Sequence, residues 1–105
     1  MTIENNDNYS YFSGINIDNK KNFLNKLESF KTDPVNLIIK LNNELINNHS
    51  LILSLVKYNY FWKKSDKSFI LVVDDYVMNN NSLVCLPSLE EAIDYLFMEE
   101  LERNV

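Results

Sequence analysis

The chain has 105 residues, of which 46% are hydrophobic and 24% charged, with a net charge of −5 and a single cysteine. That length suits one domain spanning residues 1–105 and is too short for two, because smaller units bury too little surface to stand without disulfides or metals. The ordinary apolar share argues against a disordered chain.

Cys85 alone cannot form an internal disulfide, and no basic segment leading into an apolar stretch opens the chain, so a cytoplasmic location is expected. The longest apolar stretch, Leu51 to Trp62, is broken by Ser54, Lys57 and Asn59 and falls short of the roughly 20 residues that span a bilayer. No membrane role is expected. Charge is unevenly spread: up to Val73 nine lysines face seven acids, whereas from Asp74 onward Arg103 alone faces eight. An acidic segment of that density repels nucleic acid and draws basic surfaces by steering, although acidic surfaces also serve plain solubility.

In chain order, residues 1–10 are polar and read as a loose opening segment. Tyr11, Phe12 and Ile15 then suit a short edge strand or a segment docked on the core. Asp18 or Asn19 can cap a first helix carrying Phe23, Leu24, Leu27 and Phe30 and running to about Lys31. Asp33-Pro34 stops that helix and starts a second, in which Val35, Ile38, Ile39, Leu41, Leu45 and Ile46 recur at three- and four-residue intervals.

Val56, Tyr58, Tyr60 and Trp62 alternate with Lys57, Asn59, Phe61 and Lys63, a two-residue period that predicts a strand. Leu51 to Leu55 fits either a strand or a helix. Phe69 to Val73 is the unbroken apolar run of a central strand covered on both faces, and Leu83 to Leu86 a short third strand. The last element begins at Ser88, whose capping box with Glu91 opens a helix with Leu89, Ala92, Ile93, Leu96, Phe97 and Leu101 on one stripe and acids elsewhere. The expected fold is therefore α+β: two N-terminal helices, an antiparallel meander of three or slightly more strands, and a C-terminal amphipathic helix packed on the sheet.

Several chemistries lack their residues. One glycine, Gly14, cannot build a phosphate-cradling or dinucleotide-binding loop. One histidine and one cysteine cannot make the usual zinc site, and no calcium-loop spacing occurs, so no cofactor and no metal are expected. His49 and Cys85 would need to meet to act as base and nucleophile; a surface histidine and a buried thiol are the simpler expectation. Asp74-Asp75 with Glu90, Glu91 and Asp94 offers carboxylates for acid/base work or magnesium, but neighbouring strand residues point to opposite faces. Trp62 beside Lys63, Lys64 and Lys67 has the makings of a stacking and phosphate-contact patch, outweighed by the acidity of the rest. In the aromatic cluster, Tyr58, Tyr60 and Trp62 are expected in the core, leaving Phe61 on the other side, under a helix or open to a partner.

The closing segment Leu83-Val84-Cys85-Leu86-Pro87-Ser88-Leu89-Glu90-Glu91-Ala92-Ile93-Asp94-Tyr95-Leu96 resembles that of small bacterial immunity proteins, including those of contact-dependent growth inhibition systems, in which a strand leads through a serine-capped turn into an acid-rich helix. The resemblance implies a protein that is not an enzyme and that neutralises a cognate toxin domain, a basic nuclease, by covering its active site or substrate cleft. On that expectation the partner contacts are Asp74, Asp75, Glu90, Glu91, Asp94, Glu99 and Phe61. A phage-type inhibitor of a host nuclease or defence complex would use the same acidity and size. A small enzyme or ligand-binding domain would need a pocket with convergent polar groups, and an oligomeric adaptor an exposed patch at Phe61, Tyr95 or Met98.

Overall fold

The computed structural model describes residues 1–74 and 82–104. Among them, strands and helices alternate as β1 Thr2–Asn5, β2 Ser10–Ser13, α1 Lys20–Phe30, β3 Leu37–Lys40, α2 Asn43–Ile46, α3 His49–Lys64, β4 Phe69–Val72, β5 Val84–Leu86 and α4 Leu89–Arg103. All five strands lie in one sheet in chain order. β1 is antiparallel to β2, and β2, β3, β4 and β5 run parallel. Mixed α and β structure is as expected; the antiparallel three-stranded meander is not what forms.

Parallel neighbours must be joined by a crossover, and here α1 carries β2 to β3 while α2 and α3 carry β3 to β4. Because both crossovers advance in the same direction across the sheet, the right-handed rule places them on one face. There Phe12, Leu37, Ile39, Phe69 and Leu71 meet Phe23 and Leu27 of α1 and Leu51, Leu55 and Trp62 of α3. On the other face Ile38, Ile70 and Val72 meet Ala92 and Leu96 of α4.

Four local expectations need correction. Residues 2–5, expected to be loose, form edge strand β1, with Ile3 packed on the larger core. The helix expected from Pro34 to about Asn48 is instead β3, fully buried from Leu37 to Ile39, followed by the single turn of α2. A central parallel strand is covered on both faces, so its apolar run is continuous and mimics helical spacing over a short window. The strand expected over residues 56–62 is part of α3, whose buried positions Leu51, Leu55, Asn59 and Trp62 recur every three or four residues. The alternating aromatics were a coincidence of composition: Tyr58 and Trp62 stack edge to face on one side of the helix, and Tyr60 points to solvent. Lastly, β4 and β5 are parallel neighbours, Ile70 to Val72 opposite Val84 to Leu86, rather than members of a meander.

α1 starts at Asn19 without the side-chain cap expected of Asp18 or Asn19, the Asn19 amide accepting from Asn16 N and donating to Gly14 O instead, whereas the later helices are capped by side chains. Asn42 Oδ1 accepts from Leu45 N at 2.8 Å and Asn48 Oδ1 from Leu51 N at 3.0 Å, satisfying first-turn donors of α2 and α3. α3 ends in a Schellman motif, with Lys67 N donating to Trp62 O and Asp66 N to Lys63 O, both at 3.1 Å. Asp66 takes the left-handed position of that motif at φ 58°.

Asn36, buried at the entrance to β3, ties the N-terminal ends of the parallel strands together. Its Oδ1 accepts from Ser68 N at 2.9 Å, and its Nδ2 donates to Asn8 O and to Glu100 Oε1, both at 3.0 Å. One side chain thus links the β1–β2 turn, β3, the start of β4 and α4. Beside it, Trp62 Nε1 donates to Val35 O at 2.8 Å, which leaves the buried indole satisfied.

Candidate protein-docking face

α4 opens where Ser88 Oγ accepts from Glu91 N at 3.2 Å, as the capping signal predicts. Glu90 and Glu91 occupy the first turn and Arg103 the last, so both ends suit the helix dipole. Arg103 also donates to Ser68 Oγ at 3.1 Å, fastening the C-terminal end to the sheet beside Asn36.

The expected apolar stripe is only half used. Ala92 and Leu96 are buried, whereas Phe97, Met98 and Leu101 are 64%, 57% and 51% exposed, with Ile93 and Tyr95 also open. Five large apolar side chains on one helix, all facing solvent among carboxylates, exceed the scattered single exposures usual on a monomer surface. Glu90, Glu91, Asp94 and Glu102 are exposed on the same helix, and Glu99 is half-buried. Burial first, and then the carboxylates of Glu99 and Glu102, push the Tyr95 phenol above its ordinary value.

Of the residues expected to contact a partner, Glu90, Glu91, Asp94 and Glu99 share α4. Asp74 lies apart at the end of β4, exposed, with its carboxylate 3.6 Å from Lys40 Nζ. Asp75 lies outside the described residues. Phe61 belongs to neither group: it is half-buried on α3, on the opposite face of the sheet, with its ring against Trp62 and Lys31 Nζ 5.1 Å above it. Sequence reasoning missed the exposure of Ile93, Phe97 and Leu101. The signal was present, since apolar residues at 92, 93, 95, 96, 97 and 98 surround the helix, and one sheet can cover only one side of it.

No protein-family model matches this chain, and no curated protein matches it.

The remaining candidates resolve differently. Trp62 is fully buried and cannot stack on a base, while Lys64 Nζ sits 4.6 Å from the ring centre of exposed Tyr60. His49 is exposed at the start of α3, and the Cys85 thiol, half-buried in β5, is pushed up to about 11 by burial, the reverse of what activates a nucleophile. Among the described residues no three of His, Cys, Asp or Glu cluster to hold a metal ion, and no helix is long and apolar enough to cross a membrane. A polar cleft of about 590 Å³ opens at the N-terminal ends of the parallel strands, lined by Asn6, Asp7, Asn36, Asp66, Lys67 and Arg103 among others. It mixes both signs of charge.

Proposed function

We propose that this protein works by binding another protein, one with a basic surface, through the outward side of α4. The observation that carries this is the set of solvent-facing apolar side chains on α4 among Glu90, Glu91, Asp94 and Glu102. Such a surface gains from burying its apolar groups only against a partner whose charges answer the carboxylates. Tyr95 and Met98 are the side chains suited to central contact, and the acids to steering and register.

In its most specific form, taken from the likeness of residues 83–96 to immunity proteins, the partner is a basic toxin domain whose substrate cleft is filled by α4. That likeness rests on the closing strand, turn and capped helix, because the layout of two helices followed by a meander is not the one found.

The test is affinity capture from native cells at low salt, followed by stopped-flow association of the captured partner. Glu90→Gln with Glu91→Gln and Asp94→Asn should slow association about tenfold at low salt and flatten its salt dependence. Unchanged association by the triple variant would refute the role given to α4.

A ligand-binding role has one observation in its favour, the polar cleft beside Asn36 and Arg103. Mass spectrometry of small molecules retained by the purified protein would decide that second reading.

A further inference from the structure

The two faces of the sheet are covered unequally. α1, α2 and α3 share the first, while α4 alone covers the second and packs on β3, β4 and β5. Ile3 and Phe12 point into the first core, so alternation turns Glu4 and Tyr11, which are opposite each other in register, toward the second face beyond α4. Tyr9 and Tyr11 are half-buried there against Ile38 and its neighbours.

The side of α4 next to them carries Ile93 and Phe97, and between lies a pocket of about 200 Å³ lined by Asn8, Tyr9, Ile93, Leu96, Phe97 and Glu100. The result is a short trough with tyrosines on its strand side and an aliphatic and aromatic wall, about 13 Å long if it follows the four residues of β2 at 3.3 Å each. Two strands are about 10 Å wide, close to the diameter of one helix.

We infer that this trough receives an amphipathic helix of the protein partner, with large apolar side chains at three- and four-residue spacing on one side and Lys or Arg along its flanks. The inference deepens the protein-binding role proposed above and rests on it. Charge selects the occupant. Glu4 stands on the strand side, Glu90, Asp94 and Glu100 on the α4 side, and the neighbouring cation Lys40 is held by Asp74. A second copy docking through its own α4 would press carboxylates on carboxylates, and an anionic membrane surface would meet the same repulsion. A basic amphipathic helix meets acids on both flanks and apolar side chains between them, the arrangement of helix-in-groove recognition.

The probe is a synthetic helical peptide matching α4 in length, with leucines on one face and lysines on its flanks, titrated into the intact protein at low salt. Amide shifts should concentrate at Tyr9, Tyr11, Ile93 and Phe97. Phe97→Lys, at a mostly exposed position that leaves folding intact, should weaken binding at least about tenfold. Glu4→Lys should weaken it severalfold, and less so at high salt. Equal binding by a peptide of the same composition in scrambled order, or shifts away from the trough, would overturn the inference. So would a dimer of this chain that Phe97→Lys abolishes, since it would make the occupant a second copy. Unaltered binding of the natural partner by Phe97→Lys, with association still slowed in the Glu90, Glu91 and Asp94 variant, overturns the trough alone and leaves the broader role standing.

Discussion

Replacing Asn36 with alanine tests whether one side chain holds the lower end of the molecule together. The substitution removes the acceptor of Ser68 N and the donor to Asn8 O and Glu100 Oε1. Ser68 is buried, so its N–H is left without a partner at about 1–3 kcal/mol, and the lost bond to the carboxylate of Glu100 adds about 1 kcal/mol. Asn8 is exposed and its carbonyl can hydrate, so it adds little. The sum is about 3 kcal/mol, which for a domain of this size lowers Tm by about 13 °C. Urea unfolding followed by fluorescence of Trp62, the only tryptophan and fully buried beside Asn36, reads the loss directly. Asn36→Asp separates the three bonds: it keeps the acceptor for Ser68 N but sets a carboxylate against that of Glu100. The introduced group then has a folded-state pKa above its unfolded one. Its stabilising contribution is complete below the unfolded carboxylate pKa and is lost as pH rises through the raised value, so this variant should recover stability on acidification relative to the wild type. An Asn36→Ala midpoint within about 0.5 kcal/mol of wild type, or no acid recovery in Asn36→Asp, would refute the bridging role.

Asp66→Gly should stabilise the protein by about 1 kcal/mol, raising Tm by about 4 °C, because glycine occupies the left-handed position of the Schellman motif without a Cβ penalty; a lowered Tm would show that the Asp66 side chain holds something the backbone geometry does not reveal. Tyr58 donates to Glu28 Oε2 at 2.6 Å, and burial followed by that carboxylate pushes its phenol up to about 12. Its contribution to stability should be complete below pH 10 and vanish as pH climbs through about 12, and Tyr58→Phe should remove the last phenol to ionise in a spectrophotometric titration. Cys85, pushed up to about 11 by burial, should react with a thiol reagent at pH 8 about a hundredfold more slowly in the native protein than in denaturant; equal rates would place the thiol in open solvent.

α1, β4 and the closing segment from β5 through α4 were legible in the sequence; the first strand and the stretch from β3 to α3 were not. α1 and α4 announce themselves by a polar residue followed by apolar positions at helical spacing, and β4 by an apolar run too short for a helix. β3 and α3 were exchanged in type for one physical reason. A strand buried on both faces loses its alternation, while a helix rich in aromatic residues acquires a spurious one. The capping asparagines, Asn42 and Asn48, were the better guide, but each is paired with a neighbouring asparagine, which masks the cap signal. For the candidate site, the acids of α4 were readable as a set. Tyr9 and Tyr11, which flank it, were not, because their position depends on β1 and β2 extending the sheet beyond α4.

Because the strands lie side by side in the order in which they are made, each new β-α unit finds its neighbour already in place as the chain leaves the ribosome, and no slot has to be kept open for a later strand. Most pairing is then local in sequence, which favours quick assembly. The contacts of α4 are the exception, and the bond between Asn36 and Glu100 among them spans 64 positions. It can close only when the final helix arrives, so synthesis of α4 both seals the second face and locks a junction laid down two-thirds of a chain earlier.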